Sequence, residues 1–278
     1  MSLTIIVGGQ GGEPKGKIAA YLALADQIML AARAAGTTAH TIEWNGQPHT
    51  ASWLSCAFAQ PDTRLLVGPG VPVSVGGVLD EIQRLGVADR VGIDRLCLVQ
   101  EGRKRAADIA ALQPFLTDVP LEFSAAVRGG HSALIEANRG FSLSPLYGAT
   151  DDAAQHDTTA QQACVDTGVG PTLVTDVYLV LTALMPGASD AAELPIGRDP
   201  LPANFDVALA RAAVIANGAT GIVLSDLETR LSRAQGAQRR SHLPNEAREF
   251  IDRVQTLLER PVVLVSTGPS VEHIVDLR

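Results

Sequence analysis

Long apolar runs are missing from this 278-residue sequence, as are blocks of like charge and paired cysteines, and aromatic residues make up only 4% of it. No uninterrupted apolar stretch nears the roughly 18 residues needed to cross a bilayer, and no charged start leads into an apolar h-region. These absences predict a soluble, cytoplasmic protein. Cys56, Cys97 and Cys164 stand too far apart to suggest a metal or disulfide framework. They fit a reducing compartment and read as small buried apolar residues. The 22 basic and 30 acidic side chains give a net charge of −8 without runs of either sign. That field favours neither nucleic acid nor a membrane surface as a partner, and leaves a small molecule as the expected substrate. No linker-like tract divides the chain, so one domain over residues 1–278 is expected.

What is present is alternation. Short β-rich runs ending in Gly or Pro (TIIVGG, RLLVGPGV, SALIEA, DVYLVLTAL, TGIVLSD, PVVLVSTGP) recur between Ala-rich stretches. Among the latter, KIAAYLALADQIMLAARAA, VGGVLDEIQRLG, NFDVALARAAVIANGA and PNEAREFIDRVQTLLER place apolar residues near a 3.6 period. The pattern predicts an α/β fold with a central, mainly parallel sheet flanked by helices. Two stretches, FSLSPLYGATDDAAQHDTTAQQA and MPGASDAAELPIGRDPLPAN, read as loops facing a site at the strand ends.

The first strand runs into VGGQGGEPKGKI, residues 7–18. A strand, a Gly-rich turn with lysines and a helix start aim several backbone N–H groups at one point, which makes an anion site. The order GGEPKGKI is not a regular Walker A, which needs four residues before its Gly-Lys pair and a Ser or Thr after it.

Beside other segments the loop resembles the adenylosuccinate synthetase signature, GQWGDEGKGK. AGTTAHT, residues 35–41, resembles that family's NAGHT. RLLVGPGVPV, RVGIDRLCLVQE, LTDV, LIEANRGFSLSPLYG, DTTAQQACVDTGVGPT, FDVALARAAVIANGAT, PNEAREFIDRV and STGPSVEHIVD then follow in the order of its shorter archaeal and phage-type members. The resemblance spans the chain and implies the family's P-loop-type fold. It also implies its two-step ligation: a nucleoside triphosphate, ATP or GTP, with Mg²⁺ phosphorylates an oxo group, and an amine, aspartate in the family, displaces phosphate. Phage relatives use deoxyguanylate and ATP. Family members are dimers, so a homodimer is expected.

Carried over residue by residue, the resemblance puts Lys15, Gly16 and Lys17 on the K-G-K cradle, with Gly12 beside it. His40 falls on the histidine that assists the phosphoryl group, with the phosphate-side Thr41 next to it. The loop is one residue short where the family has its catalytic Asp, leaving Gly12 or Glu13 there, so Glu13 is the candidate base and metal ligand. Pro14 stands where the loop wants glycine. Ser266, Thr267, Gly268 and Pro269 match the segment touching the donor base, and Asp226 and Glu228 occupy the Lys and Asp places of a TKLD-like motif. Asn138 and Arg139 replace the pair that reads the acceptor, and Thr158 and Thr159 are retained beside its phosphate position. The insertion carrying the monophosphate-gripping loop is absent. Of the aspartate clamp only Gly197 and Arg198 remain. Besides a diverged ligase, a phosphotransferase or hydrolase keeping the first half-reaction, and a non-catalytic nucleotide-binding paralogue, fit these losses.

Overall fold

The computed structural model of the chain describes residues 2–36, 38–100, 102, 104–148, 154, 156–183 and 205–278. Strand β1 (Leu3–Gly8) is buried at every residue and leads through the loop 9–14 into α1 (Lys15–Asp26) and β2 (Leu30–Arg33). An Asn-Gly turn joins β3 (His40–Trp44) to β4 (Gln47–Ala51) in a separate antiparallel hairpin. Asn45 and Gly46 have φ of 51° and 71°, as a type I′ turn requires. Then follow β5 (Arg64–Val67), α2 (Val75–Leu85), β6 (Val91–Asp94), β7 (Leu116–Thr117), α3 (Val119–Arg128) and β8 (Ala133–Glu136). The chain continues through α4 (Ala160–Thr167), β9 (Asp176–Thr182), α5 (Val207–Asn217), β10 (Gly221–Ser225) and the single turn α6 (Leu227–Arg230). It closes with α7 (Asn245–Leu258), β11 (Val262–Ser266) and β12 (Ile274–Asp276).

Among the described residues these strands form one ten-stranded sheet in the order β12-β11-β10-β9-β1-β8-β2-β5-β6-β7. All neighbours run parallel except β11 and β12. Alternate residues of β1 supply opposite cores. Leu3, Ile5 and Val7 face Phe123, Ala163, Val214 and Phe250 of α3, α4, α5 and α7, while Ile6 faces Ile18, Leu22 and Ile82 of α1 and α2. The α7 stripe, Ala247, Phe250, Ile251, Val254 and Leu258, has the spacing its sequence predicts. No described helix is long and apolar enough to cross a membrane.

One expected element is corrected. The stretch from Lys17 to Ala35 reads as a single helix, yet α1 ends at Asp26, Gln27 turns left-handed at φ 51°, and Leu30–Arg33 is a strand between β8 and β5. Ala31 and Ala32 are fully buried there. Coverage on both faces outweighs the helical preference of alanine.

Candidate functional site

The C-terminal ends of the parallel strands gather the candidate residues, the place where open α/β sheets carry ligands. In the loop after β1, Glu13 is 4% exposed and Lys15 1%. The Glu13 carboxylate turns back into the loop: Oε1 accepts from the Gln10 N–H, and Oε2 from the Gly11 N–H at 2.7 Å. Lys15 Nζ lies 3.4 Å from both Oε2 and the Glu13 carbonyl oxygen. Burial pushes the Lys15 ammonium below its ordinary value, and the Glu13 charge offsets this. Gly8 is required beneath them, since a Cβ would lie 2.6 Å from Glu13 Oε2 and 2.7 Å from Lys15 Nζ. Gly12 faces open space instead. Pro14 precedes the first helical residue, where its missing N–H removes no helical bond. Glu13 therefore pins the loop, with both oxygens engaged, instead of projecting as a base or metal ligand.

Lys17 leaves the loop altogether. Its ammonium donates to Ser266 Oγ and, at 2.5 Å, to the Gly268 carbonyl oxygen, tying the start of α1 to the end of β11. Burial lowers its pKa, against the raising charges of Glu228, Asp226 and Glu43. In the free protein Lys17, expected at a phosphate, is a brace between α1 and the segment Ser266–Gly268. Thr267 Oγ1 donates to the Ala237 carbonyl oxygen at 2.6 Å, and Pro269 is exposed. Asp226 adopts a left-handed φ of 57° and takes the Ser225 hydroxyl at 2.8 Å. Glu228 Oε2 is buried without a hydrogen-bond partner among the described residues.

His40 meets Glu136, the last residue of β8. Its Nδ1 is in hydrogen-bond contact with Glu136 Oε1. Glu136 Oε2 accepts from Ser55 Oγ and from the Cys56 N–H, both at 2.7 Å. Burial pushes the Glu136 carboxyl up, but His40, the Arg33 guanidinium and Ser55 outweigh it and hold it down at about 2. Arg33 is fully buried, donating to the Ala51 and Thr38 carbonyl oxygens, with Nε unpartnered among the described residues. Gly16 brings α1 against this group: a Cβ there would meet Cys56 Sγ at 2.8 Å and His40 Cβ at 3.0 Å. Thr41, the next residue of β3, is exposed, points the other way and pairs with the hydroxyl of Thr50 at 2.9 Å. It is not brought to the loop. Cys56, Cys97 and Cys164 are all free and buried.

The acceptor candidates form one assembly with the loop. A Cβ on Gly140 would meet Gly11 N at 2.3 Å, so the turn after β8 lies directly on the loop. Ser142 donates to the carbonyl oxygens of Gly9, through N–H, and Gln10, through Oγ, each at 2.9 Å. Thr158 Oγ1 donates to the Gly140 carbonyl oxygen at 2.8 Å, and Thr159 Oγ1 donates to Asp157. Arg139 takes a left-handed φ of 54°. Asn138 is 4% exposed, its Oδ1 accepting from the Arg139 N–H at 2.9 Å and its Nδ2 unpartnered among the described residues. Arg198 and the loop 185–204 lie outside the described residues.

Glu136, Arg33, Ser55 and Cys56 are the residues that sequence reasoning missed. A signal existed for two of them. Glu136 and Arg33 are the charged last residues of otherwise apolar strands, ALIE and LAAR, buried throughout, where an unpaired charge is too costly to be incidental.

Fold and loop together define an α/β protein with a glycine-rich strand-turn-helix at the centre of its sheet. No family model matches the chain. It is 34% identical to the adenylosuccinate synthetase of Thermococcus onnurineus, with 99% of this chain and 98% of that protein covered. It is 33% identical to the one from Archaeoglobus fulgidus, with 100% and 99% covered. Among solved structures it is similar to the ligated adenylosuccinate synthetase of Plasmodium falciparum, with TM-score 0.80, 13% identity and 100% of each chain covered. The succinoaminodeoxyadenylate synthetase of cyanophage S-2L, bound to dGMP and dATP, gives TM-score 0.73 and 17% identity over 99% and 95%. The structural likenesses show the fold. The sequence likenesses show that the chain belongs to the adenylosuccinate synthetase family, as an adenylosuccinate-synthetase-like ligase.

Proposed function

We propose that the protein uses a nucleoside triphosphate to phosphorylate the oxo group of a small acceptor and then joins an amine, aspartate by family, at that carbon. The observation that carries this is the joining of the β1–α1 loop, with Lys15 buried in it, to the turn 138–142 in one hydrogen-bonded assembly beside His40. A donor phosphate at Lys15 and an acceptor at Asn138 and Arg139 are then neighbours, as transfer requires. Lys15 and the first N–H groups of α1 neutralise the phosphoryl oxygens. The unpartnered Nδ2 of Asn138 supplies a donor for an acceptor oxygen.

GTP is the preferred donor in this reading. Guanine presents adjacent N1–H and N2–H₂ donors, and the unpartnered Glu228 Oε2 beside the Ser266–Gly268 segment is an acceptor that matches them. Adenine offers an acceptor at N1. Among the described residues no three His, Cys, Asp or Glu side chains converge on one point, and Glu13 has both oxygens engaged. Mg²⁺ would then be held chiefly by the triphosphate oxygens and water. The alignment to the Thermococcus protein runs over 332 positions against 278 residues here, so at least 54 of its positions have no residue in this chain. An acceptor smaller than, or held differently from, a purine nucleotide fits that shortening.

Phosphate release tests the proposal. Release from GTP that needs both an oxo acceptor, screened from inosinate and deoxyguanylate down to the free bases, and aspartate supports a ligase. Release from GTP alone identifies a hydrolase, and no release under any combination contradicts catalysis.

A further inference from the structure

Hydrogen-bond polarity around Glu136 can be followed atom by atom. The Ala57 N–H donates to Ser55 Oγ at 3.2 Å, so that oxygen is already an acceptor and its own proton goes to Glu136 Oε2. The Cys56 N–H, which can only donate, reaches the same Oε2. Glu136 is the fully buried last residue of β8, in register with Ile6 of β1 and Arg33 of β2. An ionised carboxylate accepts at both oxygens, so the remaining contact, Oε1 to His40 Nδ1, requires the proton on Nδ1. The other ring nitrogen, Nε2, then carries a bare lone pair and has no partner among the described residues.

The charges facing the ring come from three elements: Glu136 on β8, Arg33 on β2, and Lys15 on α1 with Glu13 behind it. Cys56, whose N–H donates to Glu136 Oε2, is a buried neutral thiol. Burial, with Arg33 and Lys15, outweighs Glu136 and lowers the His40 pKa, which keeps the ring neutral in the free protein. An anion bound at Lys15 reverses that balance.

We propose that Glu136 is the positioning residue of His40: it fixes the Nδ1–H tautomer so that Nε2 takes a proton from solvent as an anionic phosphoryl group binds at Lys15. The imidazolium then donates from Nε2 to a phosphoryl oxygen, while Glu136 stays ionised and bears the hydrogen bond at Nδ1. This rests on the triphosphate site proposed above, and its test has one arm that does not.

That arm is nitrogen-15 NMR of the imidazoles in the free protein above neutral pH, with the His40 signals identified by their loss in His40→Gln. The wild type is expected to carry its proton on Nδ1. In Glu136→Gln the single amide oxygen faces the two donors Ser55 and Cys56, the amide NH₂ faces Nδ1, and the proton moves to Nε2. A wild-type proton on Nε2, or an unchanged tautomer in folded Glu136→Gln, overturns the assignment; if that variant does not fold, the wild-type tautomer decides. The second arm is calorimetric titration with GTP and Mg²⁺ in two buffers of different ionisation enthalpy. Net proton uptake in the wild type that vanishes in His40→Gln supports the proposal, and binding without uptake refutes it. Absence of any binding defeats the triphosphate reading and the uptake step together, and leaves the role of Glu136 to the tautomer measurement.

Discussion

Replacing Lys15 by methionine strands the Glu13 carboxylate, and replacing Glu13 by glutamine strands the Lys15 ammonium, both almost fully buried. Breaking such a pair from one side costs about 3–5 kcal/mol, because the survivor is an uncompensated buried charge. Here both singles fall near the low end. Glu13 keeps the N–H groups of Gln10 and Gly11, and Lys15, already shifted down by burial, can shed its proton. Each single variant is therefore expected to lose about 3 kcal/mol. Glu13→Gln with Lys15→Met leaves no stranded charge in the loop, so the double variant loses no more than a single one, about 3 kcal/mol at most, a coupling of at least about 3 kcal/mol. At roughly 2 °C per kcal/mol for a chain of this size, each single variant melts about 6 °C lower. Urea unfolding of the four proteins at neutral pH measures the cycle. Losses that simply add, within about 0.5 kcal/mol, would refute the pairing of Glu13 with Lys15 as the pin of the loop.

Three further outcomes are expected. Glu136, held at about 2 against an ordinary 4.5, is a depressed acid, so its stabilisation is complete above the ordinary value and lost as pH falls toward 2; at about 1.4 kcal/mol per pH unit the wild type loses about 3 kcal/mol there that Glu136→Gln does not, and parallel acid limbs would contradict this. Gly16→Ala, with its Cβ 2.8 Å from Cys56 Sγ, should cost about 1–3 kcal/mol and displace His40, whereas Gly12→Ala, with nothing within 4 Å, should melt close to wild type. Glu228→Gln should weaken GTP about 10- to 100-fold and leave ATP unchanged in competition binding, since one charged hydrogen bond to guanine is worth about 1.5–3 kcal/mol.

Most of the sheet was legible because buried parallel strands announce themselves as short apolar runs: the six quoted runs are β1, β5, β8, β9, β10 and β11. Strand β2 was not, since LAAR carries no β-branched residue and only its neighbours β8 and β5 make it a strand. The β3–β4 hairpin does carry a local signal in the sequence, its Asn-Gly turn. In the site, resemblance pointed to the loop, to His40 and to the turn 138–142, which lie together in the fold, but could not give directions. Thr41 follows His40 on a strand and so faces away. Lys17 lies two residues along α1 from Lys15 and therefore reaches β11 rather than the loop. For Glu13, the candidate base and metal ligand, nothing in the sequence reveals that the loop's own N–H groups capture its carboxylate. The partners of His40 come from β8, β2 and the segment 55–56, distances in sequence that no local pattern spans.

The central claim is that the β1–α1 loop, through Lys15, holds a nucleoside triphosphate. Calorimetric titration of the wild type and Lys15→Met with GTP and Mg²⁺, well below the melting temperature of both, tests it most directly. The account predicts saturable one-to-one binding to the wild type and none to folded Lys15→Met. Equal binding to both, or no binding to the wild type, would contradict it.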